Sequence, residues 1–89
     1  MNLEFDKSFA KNLEKINDKS IQKKLIKIIE LVENANSISE IANTKKLVGY
    51  FSYYRIKLGN YRIGFEKMDE STIRFIIICH RKDIYTKFP

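Results

Sequence analysis

The stretch YYRIKLGNYRIGFE, residues 53–66, constrains the fold more than any other part of the chain. Apolar and polar side chains alternate with a period of two on both sides of Gly59 and Asn60, as they do in half-buried strands. A glycine–asparagine pair is typical of a two-residue hairpin turn, because both residues tolerate a positive φ. The pattern therefore predicts an antiparallel hairpin that turns at these two residues.

The predicted turn determines which residues lie opposite one another in the hairpin. Five pairs follow: Leu58 with Tyr61, Lys57 with Arg62, Ile56 with Ile63, Arg55 with Gly64, and Tyr54 with Phe65. One face of the hairpin is then wholly apolar. The other face sets Lys57 beside Arg62, a mildly destabilising pair of like charges, and sets Arg55 beside a glycine with space above it. Folding does not require this arrangement, so the basic face is a candidate functional surface.

The rest of the chain predicts two helices before the hairpin and one long strand after it. Apolar residues recur at helical spacing over residues 9–16 and 21–32, and capping residues precede each run. Residues 3–5 are expected to form a short first strand, and residues 72–79 a central strand covered on both faces. The predicted fold class is α+β, with an N-terminal helical hairpin packed on a small antiparallel β-sheet, in a single domain of residues 1–89.

The chain is strongly basic, with a formal net charge of +6. A positive balance of this size indicates a polyanionic partner, either nucleic acid or an acidic protein. Lysines outnumber arginines by thirteen to four, so each arginine marks a position where the planar guanidinium fork suits phosphate. The four arginines all lie in the second half of the chain, at Arg55, Arg62, Arg74 and Arg81.

Several kinds of site lack their residues in this sequence. One histidine beside one cysteine, His80 and Cys79, does not supply a four-ligand zinc site, and neither common glycine-rich phosphate loop is present. No serine, histidine and acid are arranged as a hydrolase triad. We therefore expect no metal and no small-molecule cofactor. The single cysteine and the lack of a long apolar segment indicate a cytoplasmic protein without membrane contact.

Two stretches carry a resemblance to a known family. Residues 53–66, together with IICHRKDIY at residues 77–85, resemble the RelE/ParE superfamily of toxins from toxin–antitoxin pairs. The resemblance covers nearly the whole chain and implies a RelE-like, microbial ribonuclease-like fold that a cognate antitoxin neutralises in a hetero-oligomer. For the RelE branch it also implies a metal-independent endoribonuclease, or mRNA interferase. Such a toxin cuts mRNA in the ribosomal A site and thereby inhibits translation.

The resemblance also assigns site residues by position. Basic residues of the RelE hairpin correspond to Arg55, Lys57 and Arg62, and the arginine and tyrosine after the last strand correspond to Arg81 and Tyr85. Metal-free RNA cleavage needs a base for the 2′-hydroxyl, cations for the developing phosphorane charge, and a proton for the leaving oxygen. Each of the five positions holds a residue compatible with that chemistry.

The expected roles follow from the side chains at these positions. Arg55 stands where the RelE pattern often has lysine, and an arginine stays protonated, so Lys57 is the expected base. Repulsion from Arg62 favours the neutral form of this lysine, which is the form a base requires. Arg62 and Arg81 are expected to hold the phosphate, Arg55 to orient the substrate, and Tyr85 to stack on a base or donate a proton.

The segment after the last predicted strand leaves two assignments open. His80 has an imidazole suited to proton transfer, but strand alternation does not decide whether His80 or Arg81 faces the basic hairpin. Lys82 extends the expected RNA-binding set of Arg55, Lys57, Arg62 and Arg81.

Simpler interpretations stand beside these assignments. The ring of Tyr85 can pack on the core, and Arg62 or Arg81 can form a surface ion pair with Glu66 or Asp83. Ile84 and Phe88 are expected to anchor the tail on the sheet.

Two other functions remain as alternatives. A ParE-like toxin inhibits DNA gyrase without catalysis, and the two helices would then form the contact surface. The compatible residues at all five catalytic positions argue against it. A degenerate toxin that survives only as a binding or regulatory module with its antitoxin is the second alternative.

Overall fold

In the computed structural model, which describes residues 1–89, a five-stranded mixed sheet runs through the centre of the molecule. Its strands are β1 (Asn2–Phe5), β2 (Thr44–Lys46), β3 (Tyr53–Leu58), β4 (Tyr61–Lys67) and β5 (Thr72–His80), in the spatial order β1-β5-β4-β3-β2. The helices are α1 (Lys7–Glu14), α2 (Lys19–Asn34) and the short C-terminal α3 (Ile84–Lys87), with a 3₁₀ turn at Ile38–Glu40. The predicted α+β fold class is confirmed. None of these helices combines the length and apolar character needed to cross a bilayer.

Each of the two N-terminal helices is capped by the aspartate that directly precedes it, together with a serine two residues after that aspartate. Asp6 accepts hydrogen bonds from the amide and the hydroxyl of Ser8, at 3.0 and 2.6 Å, and Asp18 does the same with Ser20, at 2.9 and 2.8 Å. These bonds satisfy amides that the first helical turn leaves without partners. The serine hydroxyls are the main reason that the pKa of both aspartates lies below its usual value.

The central hairpin of β3 and β4 has the predicted register in all five pairs. Of its two turn residues, only Gly59 adopts a positive φ, of 59°. The apolar side chains of the hairpin point towards α1 and α2, as the period of two requires.

The two faces of the sheet contribute to two separate apolar clusters. The helix face, covered by α1 and α2, carries the main core, in which Ile56, Ile63, Phe65 and Ile73 are fully buried. The tail face carries a smaller cluster of Leu47, Ile84 and Phe88, flanked by half-buried Tyr53, Ile76, Ile77 and Cys79. The tail is therefore anchored by Ile84 and Phe88, as predicted, and β5 is covered on both faces. The predicted open space above Gly64 is wrong, because the ring of Phe88 fills it.

Two strand pairings in the structure were not predicted from the sequence pattern. β2 pairs antiparallel with β3 at the sheet edge, and its three residues are too few to show an alternation. β1 pairs parallel with β5, so the sheet is mixed and not wholly antiparallel. That pairing joins segments about seventy residues apart, and contacts between distant segments leave no periodic signal in either one.

Candidate active site

Four cations occupy neighbouring positions on the tail face, at the end of the sheet near the β3–β4 turn. Lys57 lies opposite Arg62, and Lys45 lies opposite Arg55. Residues directly opposite on antiparallel strands share a face, and so do Arg55 and Lys57, which are two residues apart on β3. Because adjacent strands are about 4.8 Å apart, the four side chains form two close rows. We call Lys45, Arg55, Lys57 and Arg62 the cation block.

No carboxylate pairs with the cation block. The three ion pairs of the protein join Lys67 to Glu70, Arg74 to Glu4, and Lys87 to Asp83. The simpler interpretation of Arg62 and Arg81 as ion-pair partners of Glu66 or Asp83 is therefore wrong. Positive charges without neighbouring acids create a potential that attracts polyanions.

Backbone carbonyls hold the two guanidinium groups of the cation block. Arg62 donates from Nη1 to the carbonyl oxygens of Gly59 and Tyr61, at 2.9 and 2.8 Å. Arg55 donates from Nη1 to the carbonyl oxygen of Asn43, at 3.0 Å. A guanidinium has five N–H donors, so Nε and Nη2 of each arginine keep donors for a ligand. The bonds at Nη1 orient these remaining donors before a ligand arrives.

Arg81 follows directly on β5 and lies at the turn end of the cation block. Its backbone amide donates to the carbonyl oxygen of Asn60, at 2.8 Å, which ties Arg81 to the same turn that Arg62 contacts. The side chains of Arg81 and Lys82 are exposed. They make no hydrogen bond or ion pair within the protein, which leaves both free for an anionic ligand.

His80 lies on the helix face, away from the cation block. In the β4–β5 register His80 is opposite Tyr61, whereas Arg62 is opposite Cys79. The rings of His80 and Tyr61 meet edge to face, with centroids 5.9 Å apart, and line a hollow beside Asp18 at the start of α2. His80 Nδ1 accepts a hydrogen bond from the amide of Lys82, at 3.3 Å. The sheet thus separates His80 from the other predicted site residues.

Tyr85 lies on α3 on the opposite side of the cation block from Arg81. Its side chain is 66% exposed, so the simpler interpretation of Tyr85 as a core residue is wrong. The neighbouring Ile84 and the later Phe88 anchor the helix instead. Tyr85 lines a cleft together with Lys45 and Lys46, which places it at the β2 edge of the basic surface.

Cys79 shares the tail face with Arg62 but is a packing residue. Burial, and then the carboxylate of Asp83, raise the pKa of its thiol, so the neutral thiol prevails at neutral pH. A neutral thiol packed among Ile77 and Ile84 is a poor nucleophile.

Sequence reasoning missed Lys45. Its membership of the cation block depends on the pairing of β2 with β3, which the sequence pattern does not reveal. The lysine pair at 45 and 46, directly before an apolar residue and eight residues upstream of the hairpin, is the only local signal for it.

Comparison with known proteins identifies the family to which this chain belongs. The family model for the ParE toxin of type II toxin–antitoxin system, parDE, matches residues 3–85. Toxin RelE3 of Methanocaldococcus jannaschii is 43% identical over 90 residues, which span all of both chains. The crystal structure of a RelB–RelE antitoxin–toxin complex from Methanococcus jannaschii has a TM-score of 0.79 at 43% identity, over 97% of this chain and 99% of that chain.

A more distant structure shares the fold. The archaeal RelE–RelB complex from Pyrococcus horikoshii OT3 has a TM-score of 0.72 at 20% identity, over 93% of this chain and 97% of that chain. Together these matches define a small toxin of the type II toxin–antitoxin class. The chain belongs to the RelE/ParE superfamily, and its full-length similarity to Toxin RelE3 makes it a RelE-like toxin.

Proposed function

We propose that the protein is a metal-independent endoribonuclease that cuts mRNA in the ribosomal A site and is held inactive by a cognate antitoxin. The observation that carries the proposal is the cation block, which has no acidic partner and lies between Arg81 and Tyr85. The 43% identity to a toxin named RelE supports the RelE-type target over the gyrase target.

The arginines bind the reacting phosphate. Arg62 presents its free Nε and Nη2 donors from the turn, and Arg81 lies next to the same turn with an unpaired guanidinium. Charge-assisted bonds from two guanidinium groups stabilise the extra negative charge of the phosphorane more than that of the diester. Arg55, held by the carbonyl of Asn43, orients the neighbouring phosphate.

Lys57 is the general base. It is exposed, lies directly opposite Arg62, and is the one lysine of the block on the central hairpin. Its neutral amine takes the proton of the 2′-hydroxyl, and the resulting oxygen attacks the adjacent phosphorus. The bond from phosphorus to the 5′ oxygen then breaks, which leaves a 2′,3′-cyclic phosphate and a 5′-hydroxyl. Tyr85, with an exposed phenol at the edge of the block, stacks on a base or protonates the 5′ oxygen.

The antitoxin neutralises the toxin by covering this surface. The similar crystal structure from Methanococcus jannaschii, at 43% identity, is a complex of the toxin RelE with its antitoxin RelB. A net charge of +6 and an unpaired cation block favour a partner with an acidic segment. Co-purification of the tagged toxin with the product of a neighbouring reading frame tests this partner, and a toxin that purifies alone from its native operon contradicts it.

Primer extension on cellular mRNA after a brief induction tests the activity. The native toxin is expected to give discrete cuts inside translated regions, and the Arg62→Ala/Arg81→Ala double variant is expected to give none. Arg74→Ala is a matched control, because Arg74 is ion-paired to Glu4 at 2.8 Å, away from the cation block. The control is expected to cut as the native toxin does.

Two results would contradict the proposal. A double variant that still cuts would remove the phosphate-binding role from Arg62 and Arg81. Intact mRNA in cells that nevertheless stop growing would indicate that the toxin acts on gyrase or another protein. That result would agree with the ParE name of the matching family model.

A further inference from the structure

A cleft beside the cation block shares Lys45 and Tyr85 with the proposed active site, whereas its other lining residues have no role in the cleavage step. Its volume is about 310 Å³, and it lies between β2, the loop of residues 47–52 and the C-terminal tail. Lys45, Lys46, Tyr50 and Tyr85 form its walls, and the buried side chains of Leu47 and Phe88 lie at its base. The cleft is thus lined by apolar, aromatic and basic side chains.

Tyr50 is held in place in this cleft although it lies on a loop. Its ring meets Tyr53 edge to face at 5.6 Å, and Tyr53 meets Phe88 in the same way at 5.4 Å. The loop is closed by hydrogen bonds from the amide of Leu47 to the carbonyl of Tyr53, at 2.9 Å, and from the amide of Tyr50 to the carbonyl of Leu47, at 3.3 Å. An aromatic ring that is already ordered loses little conformational entropy when a ligand stacks on it.

The charges around the cleft are continuous with the cation block. Lys45 belongs to the block and also lines the cleft, and Lys46 follows it on β2. Neither lysine has an acidic partner. Cationic groups that follow a phosphate backbone, alternating with aromatic rings for the bases, are the usual design of surfaces that bind single-stranded nucleic acid.

We propose that this cleft binds one base of the substrate RNA, next to the nucleotide whose phosphate is cut. Tyr50 stacks on the base, and Lys45 and Lys46 contact its phosphate. The inference rests on the proposed ribonuclease function and makes Tyr50 a determinant of which sequences are cut. A volume near the lower end of the range for small-ligand sites, about 300–1,000 Å³, suits one base better than an extended acidic peptide.

Mapping the 5′ ends of cut messages across the cell tests the inference. The proteins compared are the native toxin, Tyr50→Ala, Tyr50→Phe and Phe51→Ala. Phe51 is the matched control: it is the adjacent aromatic residue, it is 94% exposed, and it does not line the cleft. Its ring lies 5.8 Å from Nζ of Lys46, and Phe51→Ala keeps the charge of that lysine. The thermal unfolding midpoint of each variant is measured as a test of folding. Because the ring of Tyr50 is partly exposed, we expect these midpoints to equal that of the native toxin.

We expect Tyr50→Ala to lower the yield of cuts about tenfold, as loss of one base-stacking contact does, and to change the nucleotide preference beside the cut. Tyr50→Phe keeps the ring, so it and Phe51→Ala should cut as the native toxin does. Unchanged positions and yields in Tyr50→Ala overturn the base-binding cleft and leave the ribonuclease function standing. A native toxin that cuts no message overturns both.

A second measurement separates RNA from protein as the occupant. If Tyr50→Ala cuts normally but no longer co-purifies with the antitoxin, the cleft binds the antitoxin and the proposal is overturned. If Tyr50→Ala binds the antitoxin as tightly as the native toxin and cuts less, the cleft serves the RNA.

Discussion

The ring of Phe88 lies directly on Gly64. A β-carbon on Gly64 would stand 2.7 Å from two atoms of that ring and 2.8 Å from a methyl group of Ile77, closer than any stable contact between carbons. Gly64 is buried on the tail face, opposite Arg55 in the hairpin register. The tail therefore docks at this position because Gly64 has no side chain. Because Tyr85 precedes Phe88 by one helical turn, this contact also positions Tyr85.

Gly64→Ala should destabilise the protein by about 1–3 kcal/mol, the usual cost of forcing extra volume into a packed site. Chemical denaturation measures this cost. The same variant should also weaken growth inhibition, because a displaced tail moves Tyr85 away from the cation block. In a Phe88→Ala background, Gly64→Ala should cost less, since the ring it strikes is gone. An equal cost in both backgrounds would show that the tail does not depend on the glycine.

Lys57→Arg should lower the cleavage rate about 10²-fold or more, the contribution typical of a general base. An arginine keeps the positive charge but stays protonated, so it does not accept the proton of the 2′-hydroxyl. Single-turnover cleavage of mRNA on programmed ribosomes measures the rate. Lys67→Arg is the control, because Lys67 is ion-paired to Glu70 beyond the cation block. A Lys57→Arg toxin with the native rate would exclude Lys57 as the base.

His80→Gln should leave the cleavage rate unchanged. The imidazole lies on the helix face against Tyr61, and the sheet separates it from Arg62 and Lys57. The same cleavage assay, combined with a thermal unfolding midpoint, tests this placement. A tenfold loss of cleavage by a variant that folds normally would place His80 in the reaction after all.

Tyr85→Phe and Tyr85→Ala together separate the two roles of this residue. A phenylalanine keeps the stacking surface and removes the hydroxyl, whereas an alanine removes both. The ring is mostly exposed, so neither change should affect the free energy of unfolding. If Tyr85 protonates the leaving oxygen, both variants lose cleavage alike. If it stacks on a base, only Tyr85→Ala does, and native cleavage by Tyr85→Ala would remove the residue from the site.

Stability should fall at acid pH through three repeated aspartate–serine turns. The serine hydroxyl at Asp6 and Asp18, and the serine amide at Asp69, are the main causes that lower the pKa of each carboxyl from 3.8. A lowered pKa in the folded state contributes stability that is complete above 3.8 and is lost as pH falls through the folded value. Denaturation midpoints of the native protein should therefore fall below pH 3.8 more steeply than those of a triple aspartate-to-asparagine variant. Parallel curves would contradict this linkage.

The sequence by itself determined the elements that depend on neighbouring residues. The alternation of residues 53–66 and the turn at Gly59 predicted the hairpin register, and the spacing of apolar residues predicted α1 and α2. It also placed Arg55, Lys57 and Arg62 on one face, because a period of two leaves no other arrangement once the turn is known.

Only the tertiary structure decided which distant groups meet. The pairing of the short β2 with β3 adds Lys45 to the cation block, the register of β4 with β5 puts His80 on the helix face, and Phe88 docks on Gly64. Each of these contacts joins two separate segments, and no pattern within either segment marks the pairing; the β4–β5 register, for example, shifts between Gly64 and Phe65. A local period or turn residue reports the geometry of its own segment, whereas such packing depends on the shape of the whole core.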